Sequence, residues 1–305
     1  MTLRIGTRGS ALATAQAGTV ADALGGELVI IQSEGDRSTA SLASLGGAGV
    51  FAAALREALL AGEVDAVVHS YKDLPTAPID GLSIAAVPRR ADARDALCAR
   101  DGLTLETLPE GARVGTGSPR RRAQLAARRP DLDVVDIRGN IDTRLARVGD
   151  ADPERGLDAV VLAAAGLERL GRSDAATELF DLDRWPTAPA QGALAVETRT
   201  GDEALAARVD HRSTRLAAEA ERGVLARLEA GCAAPIGARS FVEDGMLFLT
   251  ARIYRVDGSA QLTSSHAAVL DDDSAADLAE RVSAELLAAG AADLAPLGAR
   301  PEEDR

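Results

Sequence analysis

The sequence predicts an α/β protein with two doubly wound domains and a small C-terminal α+β domain. Three observations carry this. Short apolar runs alternate with helical periodicity through the first two-thirds of the chain, and they do so in two clusters. Such alternation implies βαβ units and mostly parallel sheets. Two candidate crossovers, the Pro/Arg/Asp-rich VPRRADARD (87–95) and DRWPTAPAQGALAVETR (183–199), lie where the chain would leave the first cluster and return to it. After about residue 209 the pattern changes to one long helix, alternating strands and a final helix.

In the first cluster, LRIGT (3–7), ELVIIQ (27–32), VDAVVHS (64–70) and LSIAAVP (82–88) read as buried strands, with helices near 11–24 and 48–61. In the second, ARVGTGS (112–118), DVVDIRG (133–139) and LDAVVLAAAG (157–166) read as strands, with helices near 119–128 and 140–148. DALCAR alternates like a strand and places Cys98 in a core. STRLAAEAERGVLARLEAG reads as a helix ending at Gly231. Asp244-Gly245 and Asp257-Gly258 then break an alternating region into hairpins. A last helix near 274–289 puts Leu278, Val282 and Leu286 on one face, and the tail RPEEDR is expected to fray. The expected domains are 1–88 with 189–208, then 89–188, then 209–305.

Composition narrows the function. The net charge is −13, and aromatic residues make up 2% of the chain. A nucleic-acid partner needs a positive surface and stacking platforms, so none is expected. No apolar run reaches the length of a membrane span, and MTLRIGTRGSALATAQ lacks the pattern of a signal peptide. A cytoplasmic monomer acting on a small molecule is expected. Two cysteines do not make a disulfide framework. An acidic, alanine-rich composition suits a high-salt cytoplasm, the habit of a halophile. Lys72 is the only lysine in the chain, every other basic residue being arginine or histidine.

Several stretches can carry chemistry. In GTRGSALATAQ (6–16), Ser10 reads as an N-cap beside Arg8. In GTGSPRRRAQL (115–125), Ser118 caps, Pro119 takes the first helical position, and Arg120, Arg121 and Arg122 follow. Cations at a helix start are locally unfavourable, and an anionic ligand would compensate them; a solvated basic face is the alternative. DIRGNIDTRL (136–145) adds Arg138 and Arg144 at a strand end, where ligand sites of α/β sheets collect. Arg138 could equally pair with Asp136 or Asp142. Together these arginines suit a substrate with several carboxylates or phosphates. VHSYKDLP (68–75) sets Lys72 beside Asp73, again at a strand end. That pair can stabilise a cation, move a proton, form a Schiff base through Lys72, or be a plain surface pair. His69, His211 and His266 lack metal-ligand spacing, His69 reads as packed, and no metal is expected. SLGGAGVF (44–51) is not a Walker loop and reads as a mobile surface loop. RLEAGCAAPIG (227–237) puts Cys232 in a small-residue loop after a helix, an odd place for a structural thiol.

Taken together, TRGSALATAQ, HSYKDLP, VGTGSPRRRAQL, IRGNIDTRL, VVLAAAGLERLG, APAQGALAVE and GCAAPIG resemble, in order and nearly end to end, the hydroxymethylbilane synthase (porphobilinogen deaminase) family. The resemblance implies a transferase of tetrapyrrole (porphyrin, haem) biosynthesis. Such an enzyme condenses porphobilinogen units on a covalently bound dipyrromethane cofactor, with loss of ammonia at each step. Its fold would have two domains like those of two-domain solute-binding proteins, flanking a cleft, and a third domain with the cofactor loop. Cys232 would carry the cofactor through a thioether, and Asp73 would stabilise the cationic species and handle the proton. Lys72, Ser10, Thr116, Ser118, Arg120, Arg121 and Arg138 would contact the cofactor. Arg8, Arg138, Arg144 and Phe51 would contact substrate.

Two departures stand out against that family. The glycine-rich loop, where lysines are common, has Ser44, Leu45, Gly46, Gly47 and Ala48, and Gly117 replaces a common serine. Three other readings stay open on the residues alone: an anion-binding protein, a Schiff-base enzyme using Lys72 with pyridoxal phosphate, and a cysteine hydrolase using Cys232.

Overall fold

A computed structural model describes residues 2–32, 49–152, 154–230 and 234–297. Among these, the strands form three sheets. The first contains β1 (Arg4–Thr7), β2 (Glu27–Ile30), β3 (Ala66–Ser70), β4 (Leu82–Ala86) and β10 (Leu194–Arg199), in the order β2-β1-β3-β10-β4. The second contains β5 (Asp95–Ala99), β6 (Arg113–Gly115), β7 (Asp133–Val135), β8 (Ala159–Ala163) and β9 (Glu178–Leu179), in the order β7-β6-β8-β5-β9. The third is the antiparallel set β11 (Ile236–Glu243), β12 (Met246–Tyr254) and β13 (Gln261–Val269).

The first two sheets are mixed, where mostly parallel sheets were expected. β10 runs against β3 and β4, and β5 runs against β8 and β9. The reason lies in the two crossovers. The chain leaves β4 at its C-terminal end and reaches β5 after a short connection, so it enters the second sheet from the side where the parallel strands end. Asp95 at the start of β5 sits opposite Ala163 at the end of β8. On the return, Leu194 at the start of β10 sits opposite Ser70 at the end of β3. A strand entered from that side can only run backwards. Both sheets therefore turn their C-terminal strand ends toward the crossovers.

Burial on both faces of the first two sheets follows the strand alternation. On β3, Ala66 and Val68 pack with Val20 and Leu24 of α1 (Ala11–Leu24). Val67 faces the other way, onto Leu55 and Leu59 of α2 (Gly49–Leu60). In the second sheet, Leu97 and Val161 join Leu125 of α3 (Pro119–Arg128) and Trp185. Cys98 and Val160 pack on the opposite face, with Ile137 and Leu167. Cys98 is buried as expected, and burial pushes its thiol up to about 11. Helices α4 (Ile141–Leu145) and α5 (Ala164–Arg169) follow β7 and β8.

In the last part, α6 (Arg212–Arg227) and α7 (Ser274–Ala288) cover one face of the third sheet. Leu278, Val282 and Leu286 are all buried there, as their spacing predicts. The Asp-Gly pairs make the turns, with Gly245 at φ 73° and Gly258 at φ 77°. Helix α6 stops short of Gly231. Leu228 caps it, Glu229 adopts φ 46°, and the Ala230 N–H donates back to Leu225 O at 3.1 Å. That is a left-handed helix end at a position glycine usually takes. Among the described residues, no helix is long and apolar enough to cross a membrane.

Candidate active site

A cleft of about 800 Å³ lies at the C-terminal strand ends of the first two sheets. The first sheet contributes Arg8 and Ser10 after β1, Ser70 at the end of β3 with Lys72 and Asp73 after it, and Gln191 to Ala193 ahead of β10. The second contributes Gly117 and Arg121, the 136–142 turn, Arg144, and Arg169 at the end of α5. Local sequence builds much of this. The Ser10 hydroxyl accepts from Ala13 N–H at 3.3 Å and starts α1, while Ser118 accepts from Arg121 N–H at 3.4 Å and starts α3. Both serines therefore cap as expected. Asn140, accepting from Thr143 N–H at 2.8 Å, starts α4 in the same way.

Lys72 and Asp73 stand on a one-turn 3₁₀ segment, Tyr71–Asp73, directly after β3. Asp73 is exposed to the cleft. The Lys72 Nζ donates to Gln191 Oε1 at 3.3 Å. Burial pulls the Lys72 ammonium below its ordinary range, and the Asp73 charge pushes back. The Gln191 amide is oriented from behind: its Nε2 donates to Asp95 Oδ1 at 2.8 Å and to Ala93 O at 2.9 Å, which leaves its carbonyl for Lys72.

Asp95 is the centre of that support, and sequence reasoning missed it. Its carboxylate is fully buried. It takes Arg121 Nη2 at 2.6 Å, Arg120 Nη1 at 2.9 Å, Trp185 Nε1 at 2.8 Å and Gln191 Nε2 at 2.8 Å. Burial pushes the Asp95 carboxyl up, but the two guanidiniums outweigh burial and hold it well below the usual carboxylate range. This corrects one expectation. The cations crowded at the start of α3 are compensated first by a carboxylate of the protein itself. The third of them, Arg122, donates to Val134 O at 2.7 Å.

The expected site residues divide accordingly. Arg8, Ser10, Lys72, Asp73, Arg121, Arg138 and Arg144 are brought together around the cleft. Arg138 is exposed and lies 3.8 Å from Asp136, while Asp142 pairs with Arg172. Arg144 Nε donates to Gly139 O at 2.8 Å, and burial pulls its pKa down. Thr116 is buried, and its hydroxyl accepts from Ser118 N–H at 3.2 Å. Arg120 turns away from the cleft wall, to Asp95, Gln124 Oε1 and Pro186 O. Cys232 lies outside the described residues, as do Ser44 to Ala48 and the Phe51 side chain. Arg169 was not singled out from sequence; it lines the cleft and donates to Gly192 O at 2.8 Å. Its only signal was a basic residue six positions beyond the end of β8, at the end of α5.

The residues present fit an anionic cofactor. Arg121 lines the cleft, and its Nε–H is buried without a hydrogen-bond partner among the described residues. A buried donor of that kind calls for an acceptor. Gly117 contributes by being small. A Cβ there would sit 2.8 Å from Ile137 O, so this chain has no room for the serine common in the resembling family. Gly117→Ser is expected to destabilise by about 1–3 kcal/mol, read as a lower thermal midpoint. An unchanged midpoint would show that the 117–137 contact yields freely.

Comparison with known proteins agrees with this arrangement. Residues 3–207 match the family model "Porphobilinogen deaminase, dipyromethane cofactor binding domain", and residues 215–288 match "Porphobilinogen deaminase, C-terminal domain". A porphobilinogen deaminase of Leifsonia xyli subsp. xyli is 63% identical over 97% of this chain and 94% of its own length. One of Thermobifida fusca is 57% identical over 84% of this chain and 82% of its own. A cleft rimmed by arginines around a lone Lys-Asp pair, in a chain matched along nearly its whole length, makes this protein a member of the porphobilinogen deaminase family.

Proposed function

We infer that the protein is a hydroxymethylbilane synthase: it joins four porphobilinogen molecules head to tail, releases an ammonia at each joining, and frees hydroxymethylbilane by hydrolysis. The observation that carries the reading is the Asp73 carboxylate, exposed in a cleft whose other charged groups are mainly arginines. When bound, the dipyrromethane cofactor supplies the pyrrole carbon that attacks the first incoming unit. Asp73 holds the positive charge that develops as ammonia leaves, and its carboxylate takes the proton released when the pyrrole ring regains aromaticity. Lys72, fixed by Gln191, sets the local charge beside Asp73. Arg8, Arg121, Arg138 and Arg144 bind substrate and cofactor carboxylates, where planar guanidinium forks match planar carboxylates. Cys232 holds the cofactor by a thioether and is not consumed in turnover. The same reading includes a monomer in the cytoplasm.

Intact-protein mass spectrometry on freshly purified protein, beside Cys232→Ser, tests this. The wild type is expected to carry the mass of two linked pyrrole units, and the variant to lack it. A stable adduct on the variant would move the anchor elsewhere. Wild-type protein that gains no mass from porphobilinogen and yields no tetrapyrrole would overturn the reading.

A further inference from the structure

The Tyr71–Asp73 turn has little of its own to hold it. It is a single 3₁₀ turn, closed by one hydrogen bond, Leu74 N–H to Tyr71 O at 3.3 Å. So short a turn is weak in isolation, and its carbonyls need partners. They find them on α6, in the third part of the chain. Arg222, 9% exposed, donates from Nη1 to Tyr71 O at 2.8 Å and to Leu74 O at 2.9 Å, and from Nη2 to Pro75 O at 2.8 Å. Its guanidinium also lies over the Tyr71 ring, 4.4 Å from the centroid. One side chain thus engages the turn at its start, at its end and just beyond.

The neighbouring residue on α6 holds the other half of the Lys72 contact. Glu221 is fully buried. It accepts Ala190 N–H at 2.6 Å and both Nη groups of Arg90 at 2.8 Å, and Arg90 Nε in turn donates to Gln191 O at 2.8 Å. Gln191 is the partner of Lys72. Adjacent side chains of α6 therefore grip the two backbone segments that meet at Lys72. In sequence, Cys232 follows five residues after the end of the same helix.

We propose that Arg222 is a positioning residue for the reaction, fixing the Tyr71–Asp73 turn, and with it the Asp73 carboxylate, to the helix that leads into the Cys232 segment. The proposal rests on the reading of Asp73 given above. Arg222 touches no reacting atom; it acts through the turn. A structural strut would affect stability alone, whereas a positioning residue affects turnover at constant substrate binding.

The test uses the holoenzyme and four variants: Arg222→Met, Arg222→Lys, Val224→Ala and Asp73→Asn. Val224 is a buried core residue of α6 and controls for destabilisation of the helix. Steady-state kinetics with porphobilinogen, thermal midpoint and intact mass are read for each. Arg222→Met is expected to keep the covalent adduct and to lose about 10- to 100-fold in kcat with little change in KM, the scale of a misplaced catalytic group. Arg222→Lys, able to donate to some of the same carbonyls, is expected to recover part of the loss. Val224→Ala is expected to lower the midpoint and keep kcat. Wild-type kcat in Arg222→Met overturns the proposal, and so does an equal kcat loss in Val224→Ala. If Arg222→Met does not fold, Arg222→Lys decides: lower kcat at unchanged KM supports positioning, and wild-type kcat overturns it. Normal turnover in Asp73→Asn would instead overturn the reading of Asp73, independently of Arg222.

Discussion

Asp73→Asn is expected to leave a folded protein that turns over about a thousandfold more slowly, or worse. Asp73 is exposed to the cleft, and asparagine has nearly the same shape, so the thermal midpoint should move little. The chemistry should suffer twice. A positioned carboxylate that stabilises a developing cation contributes about 10²–10³-fold. Proton transfer by the same group contributes about 10²–10⁴-fold. The two effects share one group and do not simply multiply, which is why a thousandfold is the expected floor. Lys72 should respond as well. Its ammonium is already pulled down by burial and is supported by the Asp73 charge. With that charge removed, Lys72 should lose its proton at still lower pH. Initial rates of bilane formation across pH, beside a thermal melt, check both points. Turnover near the wild-type rate would remove Asp73 from the mechanism.

The second large effect is on stability. Asp95→Asn is expected to cost about 3–5 kcal/mol at neutral pH, because it strands two buried guanidiniums without their counter-charge. For a chain of this size that lowers the thermal midpoint by about 5–8 °C. The pH dependence has a definite sign. The folded-state pKa of Asp95 is held below its unfolded value, so its stabilisation is complete above the unfolded pKa of about 4 and is lost as pH falls below it. In that range unfolding takes up a proton. Denaturant titrations at neutral pH and near pH 3 should show the gap between wild type and variant narrowing with acid. Equal stabilities at neutral pH would mean that other groups neutralise Arg120 and Arg121.

Asp95 also marks the limit of what the sequence made legible. The motif order around Arg8, Lys72, Asp73, Arg121, Arg138 and Arg144 pointed to the cleft, and all of them line it. The anchor proposed at Cys232 was legible only through resemblance, since a thiol in a small-residue loop suits a hydrolytic nucleophile as well as an attachment point. Asp95 read as the end of a linker, and nothing near it in sequence explains it. Its partners Arg121, Trp185 and Gln191 lie 26, 90 and 96 residues away. Glu221 and Arg222 were likewise hidden in an ordinary amphipathic helix. Their partners at Arg90, Tyr71 and Leu74 lie 131, 151 and 148 residues away.

What the sequence determined by itself is therefore what depends on a few neighbouring residues. The bounds of α1 follow from the Ser10 cap and the left-handed Gly25 at its end. The start of α3 follows from Ser118 and Pro119, and the hairpins from the Asp-Gly pairs. Caps, turns and periodic burial are short-range effects, so they are written in short stretches of chain. Only the tertiary structure decided which carboxylate neutralises the arginine cluster, which way β5 and β10 run, and what holds the turn beneath Asp73. Those are settled by burial: a charge or carbonyl removed from water must meet its partner wherever the folded chain brings one.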